Sequence, residues 1–136
     1  MDTLDPRRRS ELMARIRSKD TAPELFVRRL AHALGYRYRL HAKDLPGRPD
    51  LVFRKRLKVV FVHGCFWHGH TSRRCPHARL PKSNVAFWAA KIAANRERDL
   101  RRIRELRSLG YKSLVLWECE LGDAARVEAK LRRFLG

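Results

Sequence analysis

The sequence predicts an α/β domain, with helices flanking a mixed β-sheet. Two observations carry this. Strand and helix patterns follow one another in the order α, β, β, β, long α, β, α. The segment Ser113 to Cys119 (SLVLWEC) is also a near-continuous apolar run, the kind a strand shows when both of its faces are covered. The chain has 136 residues, 44% of them hydrophobic, which suits one domain with one core.

Residues 1–20 carry Arg7, Arg8, Arg9, Arg15, Arg17 and Lys19 with few apolar partners. Leu12, Met13 and Ile16 can share a helical face, so the segment reads as a basic N-terminal arm that tracks phosphates. Residues 21–136 form the domain proper. Thr21-Ala-Pro-Glu24 starts a helix: Thr21 can cap, Pro23 suits the first turn and Glu24 can reach back in a capping box. Phe26, Val27, Leu30, Ala33 and Leu34 give its buried stripe and Gly35 ends it.

Tyr36 to Leu40 alternates with period two and predicts a strand. A loop with Pro46, Gly47 and Pro49 leads into a second strand, Asp50 to Phe53. Arg54-Lys55-Arg56 supplies a turn, and Leu57 to Val62 a third strand, so 50–62 predicts a hairpin. Arg73 to Ser83, with Pro76 and Pro81, reads as a loop. The long helix spans 84–109, with Trp88, Ile92, Ile103 and Leu106 on one face. Asn95 and Asp99 fall on that same face. A carboxylate in an apolar stripe is costly unless it pairs or binds a metal. Asp123 can cap a last helix with Ala124, Val127, Leu131 and Phe134 inward.

The charge narrows the function. Against 32 Lys and Arg stand 14 Asp and Glu, a net +18, which calls for a polyanion, and nucleic acid is the usual one. The basic residues are spread along the chain, and the longest aliphatic-aromatic run, Val59–Val62, is far too short to span a bilayer. The first residues, MDTLDPRRRSE, lack the apolar core of a secretion signal. Three cysteines are an odd number for a disulfide framework, so an intracellular, cytoplasmic setting with reduced thiols is expected, with no membrane partner.

The chemistry concentrates between Gly47 and Cys75. Past the apolar run come His63, Cys65, Phe66, Trp67, His68 and His70, residues a core strand does not use. Phosphodiester hydrolysis needs a divalent metal and a proton acceptor, and hard cations take oxygen ligands. Asp50 begins a strand whose hairpin partner brings Val62 and His63 across from residues 48–50. Val62 offers a backbone carbonyl, and His63 and His68 can hold water or shuttle protons. Cys65, His70, Cys75 and Cys119 make a Cys3His set of the structural zinc type, with His77 or His68 as substitutes for His70. Phe66 and Trp67 follow Cys65 on a loop where both are hard to bury, and Trp88 lies on the helix face nearest that loop. Such aromatics suit stacking on bases or wedging between them. Trp117 reads as core.

The motifs GRPDLVF, FVHGCFWHGH, FWAAKI-AANRERD and VLWEC, in this order and preceded by MARIRSKDTAPE, closely resemble the very short patch repair (Vsr) DNA mismatch endonucleases, over roughly residues 7 to 120. That resemblance implies a restriction-endonuclease-like fold with a structural zinc. It implies a Mg²⁺-dependent endonuclease that nicks double-stranded DNA 5′ to the T of a T:G mismatch, the product of 5-methylcytosine deamination, and leaves a 5′-phosphate and a 3′-hydroxyl. The metal-binding aspartate would be Asp50, with the Val62 carbonyl as a further Mg²⁺ ligand. His63 and His68 would be the histidines of the site. Asp99 would orient His68 as general base, and Glu24 would hold metal-bound water. The zinc ligands would be Cys65, His70, Cys75 and Cys119, and the aromatic wedge Phe66, Trp67 and Trp88.

Relatives often have Thr where this chain has Val62, a change that a carbonyl ligand survives. The segment after His70 is longer than the usual pattern. The implied setting is the bacterial nucleoid, with the enzyme a monomer and mismatch-repair proteins and a DNA polymerase acting alongside. The rival expectations are a restriction-type or broader mismatch-nicking relative of the same fold, and a non-catalytic zinc-stabilised DNA-binding module.

Overall fold

The computed structural model describes residues 21–71, 75 and 80–136. The expected basic arm, with Arg7, Arg8, Arg15, Arg17 and Lys19, and His77 all lie outside these residues.

Helix α1 (Ala22–Ala33) begins after Thr21, but the expected capping box is not formed. Thr21 makes no side-chain cap, and Glu24 turns instead to Arg28 and His41. The buried positions are Val27, Arg28 and Ala31, with Phe26, Leu30 and Leu34 partly buried. Ala33, expected inward, is exposed. Gly35, at φ +94°, ends the helix with the left-handed turn that glycine accommodates most readily.

Strand β1 (Arg39–Leu40) is shorter than the 36–40 expected, because the tyrosines pack rather than pair. Tyr36 is buried with its hydroxyl donating to the Gly136 carbonyl at 3.1 Å, and Tyr38 donates to the Arg28 carbonyl at 3.3 Å. Both rings meet Phe53 edge-on. Strand β2 (Leu51–Phe53) and strand β3 (Lys58–His63) form the expected hairpin, in register Leu51↔Val60. Their turn is a 3-10 turn at Arg54–Arg56, and Leu57 is left-handed at φ 54°, which delays β3 by one residue. Helix α2 (Val85–Ser108) then crosses over the sheet, and strand β4 (Lys112–Trp117) pairs in parallel with β3. A 3-10 turn, Glu118–Glu120, leads to helix α3 (Ala124–Leu135), capped by the Asp123 carboxylate accepting from the Arg126 N–H. Val127, Leu131 and Leu135 are buried, Phe134 only partly and Ala124 not at all.

The sheet order is β1-β2-β3-β4, antiparallel except for the last pair, so it is mixed, as expected. Alternation along the strands makes two cores. Leu51, Phe53, Val60 and Leu116 face α1 and α3, packing on Val27, Ala31, Val127 and Leu131. Val52, Val59 and Phe61 face the other way, onto Leu106 of α2. Strand β4 is an edge strand, and among its residues only Leu116 is fully buried. Both its faces are nonetheless covered, Leu114 on the first core and Val115 on the second. The last turn of α3 is tied to the sheet: Lys58 and Arg56 donate at 2.6 Å to the Phe134 and Leu135 carbonyls, which have no partner within their own helix. No helix among the described residues is long and apolar enough to cross a membrane.

Candidate active site and metal cluster

Asp50 stands at the mouth of the hairpin, and its Oδ2 accepts from the Val62 N–H at 2.6 Å. A strand residue's N–H and C=O point to the same side, so the Val62 carbonyl also faces Asp50. Continuing the Leu51↔Val60 register puts Pro49, which has no N–H to offer, across from Val62. Burial pushes the Asp50 carboxyl up to about 7. The Glu24 charge adds to the rise, while the Val62 N–H, His68 and Arg28 oppose it. Asp50 thus feels both Glu24 and His68, although the three come from a strand end, a helix and a loop.

The loop 64–70 is wound tightly. His68 N–H donates to the Gly64 carbonyl at 3.1 Å, and His70 N–H to the Cys65 carbonyl at 3.0 Å. Helix α2 pins it from below: Asn95 donates to the Trp67 carbonyl at 3.0 Å, and Asp99 Oδ2 meets His68 Nδ1 at 2.6 Å. The two polar residues in the apolar stripe of α2 therefore hold this loop. His63, at the end of β3, is buried and stacks on His68 with ring centroids 3.8 Å apart and planes 3° from parallel. Burial, followed by the neighbouring His68, holds His63 down at about 3, so it stays neutral at physiological pH. Ligating atoms of His63, His68 and Asp99 lie within 4.8 Å of one another.

Gly69 is the hinge of this loop. At φ +61°, an added Cβ would come within 2.5 Å of the Arg96 side chain and 2.6 Å of Ile92 Cγ2. Gly69→Ala is accordingly expected to cost about 2–3 kcal/mol through strain and overpacking. Thermal unfolding checks this, and a melting temperature unchanged from the parent would refute it.

On the other side of the loop, Cys65, His70, Cys75 and Cys119 gather with their ligand atoms within 4.8 Å of one another. Tetrahedral zinc with thiolates at about 2.3 Å holds its ligand atoms about 3.8 Å apart, so the set needs only a small contraction. The Cys119 N–H points at Cys65 Sγ at 3.4 Å, the contact that supports a thiolate, and Cys119 Sγ lies 3.4 Å from His70 Nδ1. Burial pushes the Cys65 thiol up, and a bound dication is what would offset that. Trp117, expected as core, is half-buried. It stacks on His70 at 4.1 Å and meets His63 edge-on at 5.3 Å, so one indole separates the thiol cluster from the histidine pair.

The DNA mismatch endonuclease Vsr family profile matches residues 1–74. The DNA mismatch endonuclease Vsr of Escherichia coli is 41% identical over 120 residues, covering 88% of this chain and 75% of that protein. The chain belongs to the Vsr family of DNA mismatch endonucleases. It is therefore an endonuclease. Similarity is strong over almost the full length to two type II nicking enzymes. V.XorIIP of Xanthomonas oryzae pv. oryzae is 53% identical over 134 residues, 98% of this chain and 96% of the relative. V.NmeAIP of Neisseria meningitidis serogroup A is 43% identical over 134 residues, 98% of this chain and 94% of the relative.

In this Vsr chain the aromatics are arranged differently from the expectation. Trp88 is only 4% exposed, because it sits beneath the loop and serves as the base for three other rings. Phe66, Trp67 and Phe87 meet it edge-on at centroid distances of 5.5, 5.9 and 5.0 Å. Phe66 and Trp67 are half-buried, whereas Phe87, which the sequence reading passed over, is 59% exposed. Two more residues escaped it. Arg28 lies one helical turn after Glu24, and that spacing was the available signal. His41 gave none, being brought to Arg28 by the loop after β1.

Proposed function

We propose that this Vsr endonuclease nicks double-stranded DNA 5′ to the T of a T:G mismatch, with Mg²⁺ at Asp50 and zinc at the thiol cluster, on a restriction-endonuclease-like scaffold. The observation that carries the reading is the convergence of Asp50 and Glu24 with a histidine that a second acid orients. A carboxyl that burial and a neighbouring acid push toward its protonated form suits a divalent cation beside it. Asp50 and the Val62 carbonyl would hold that cation, which when bound polarises the scissile phosphate. The residues do the rest. Glu24 holds water beside Asp50. Asp99 takes the Nδ1 proton of His68 in a hydrogen bond, leaving Nε2 as the base that accepts the proton of the attacking water. Stacked imidazoles repel if both are charged, so a neutral His63 does not oppose the charge His68 gains as it accepts that proton. The water oxygen bonds to phosphorus, the bond to the 3′-oxygen breaks, and that oxygen leaves with a proton from solvent. A 5′-phosphate and a 3′-hydroxyl remain.

The zinc cluster and the Trp88 base hold the loop 64–70, so Phe66, Trp67 and Phe87 form a ridge for the DNA. Phe87→Ala should weaken binding of a T:G duplex about tenfold, the scale of one lost base–aromatic stack, without lowering the melting temperature. Affinity within twofold of the parent would remove Phe87 from the ridge. The central test is one assay: purified protein, Mg²⁺, and end-labelled duplexes carrying T:G, other mismatches or none. Cutting of the T strand alone, 5′ to the mispaired T, is expected. Equal nicking of all mismatches would favour the broader-specificity reading, and no nicking of any would sink the proposal.

A further inference from the structure

We infer that Arg28, backed by His41, is a positioning residue that holds Glu24 in place beside Asp50; this rests on the metal-site reading above. Arg28 is buried on α1, and its NH2 lies 3.3 Å from Glu24 Oε2 and 2.9 Å from His41 Nε2. A guanidinium only donates, so His41 Nε2 accepts, and one nitrogen serves both partners. His41 Nε2 is also 3.8 Å from Glu24 Oε2, so the three side chains close a triangle. The backbone is committed to this contact. His41 sits at φ 45°, a left-handed conformation that side-chain-bearing residues rarely adopt, and it is held there at the end of β1.

The triangle differs from an ordinary helix ion pair. Glu24 and Arg28 have the one-turn spacing of a surface pair, but their side chains are 13% and 9% exposed. The Tyr38 hydroxyl, donating to the Arg28 carbonyl at 3.3 Å, ties this turn of α1 to the segment that carries His41. The Arg28 charge also reaches Asp50. Arg28 therefore compensates two neighbouring acids and sets the direction of Glu24. A planar guanidinium between two acceptors holds a carboxylate orientation that a lysine, with its freely turning ammonium, holds less well.

The test uses the full chain with Arg28→Met, Arg28→Lys, Glu24→Gln and the Arg28→Met/Glu24→Gln pair. With saturating T:G duplex, the single-turnover rate of Arg28→Met should fall about 10- to 100-fold, the scale of a small misplacement at a reacting centre, with duplex affinity within about threefold of the parent. Binding of Mn²⁺ to the DNA-free protein, read by electron paramagnetic resonance, should weaken at least about fivefold. Arg28→Lys should recover most of the loss in both readouts. In the Glu24→Gln background, Arg28→Met should change the rate by less than about twofold, because it acts through that carboxylate.

A parental rate and Mn²⁺ affinity in Arg28→Met would overturn the inference. So would additive losses in the double variant, or weaker DNA binding at an unchanged saturated rate, which would make Arg28 a phosphate contact. If Arg28→Met unfolds, His41→Asn decides. Asparagine tolerates the left-handed backbone but reaches less far, so His41→Asn should reproduce a several-fold rate loss, and a parental rate in it would overturn the inference. Glu24→Gln and Asp50→Asn both nicking like the parent would defeat the metal-site reading itself. Their failure beside an active Arg28→Met would defeat only this inference.

Discussion

Asp50→Asn should abolish Mg²⁺-dependent nicking, by about 1000-fold or more, and at the same time raise the melting temperature of the metal-free protein at pH 8. The first effect follows from loss of the anionic oxygen that would anchor the cation; about three orders of magnitude correspond to about 4 kcal/mol. The second follows from burial. The folded-state value of Asp50, about 7, lies above its unfolded value of 3.8. A group raised in this way contributes stability that is fully present below pH 3.8 and is lost as the pH climbs through 7. At pH 8 the parent must keep a buried charge that asparagine does not carry, while an amide oxygen can still accept from the Val62 N–H. The gain should be on the order of 2–4 kcal/mol, or about 5–10 °C.

His63 works in the opposite direction. Its folded value of about 3 lies below 6.5, so its contribution is present above pH 6.5 and is lost as the pH falls toward 3. The two slopes offset each other in mildly acidic solution. The difference between parent and variant melting curves, taken from pH 5 to 8, isolates Asp50. Added Mg²⁺ should restore parental stability more at pH 8 than at pH 5, because the cation needs the ionised carboxylate. A variant that still nicks, or that melts below the parent at pH 8, would be incompatible with this assignment.

Removing the thiol cluster should have the other large effect. Cys119→Ala leaves two thiols and an imidazole, and should reduce bound zinc from one ion per chain to well under half by elemental analysis. The loop 64–70 loses its anchor to the end of β4, and with it the placement of His68. A melting temperature lower by more than about 10 °C and a nicking rate lower by about 100-fold or more are expected, given how much folding free energy a structural zinc supplies. Far-ultraviolet circular dichroism should change little below the transition, since α1, α3 and their buried residues lie on the sheet face packed on Val60 and Leu116. Prolonged chelation of the parent should reproduce the variant. Chelated protein that melts and nicks as before would show that the cluster is not a metal site.

Much of the arrangement was legible in the sequence because two periodicities constrain it. The hairpin arithmetic brought Asp50 to Val62, and the helical repeat put Asn95 and Asp99 on the face that now holds the loop. Residue chemistry marked the thiol set before any fold was known. What was missed depends on facts that periodicity does not carry. A stripe says which way Trp88 faces, not that three other rings will cover it. Glu24 satisfied a local capping pattern, but a buried arginine one turn on and a histidine from another segment compete for the same carboxylate and win it. Tyr36 and Tyr38, just before β1, alternate like strand residues, yet their rings find better partners in Phe53 than their backbones find in β2. In each case a contact between segments distant in the chain outweighed a local preference.

The turn that carries Cys65 and His68 sends one side chain toward sulfur ligands and the other toward Asp99, with only Phe66 and Trp67 between them. No peptide unit there can shift without disturbing both. Oxidant that attacks the thiols would therefore stop strand cleavage without altering any group that handles the phosphate. Cutting would then be lost while the sheet and its helices stay folded, and the mismatch would remain in an unbroken strand.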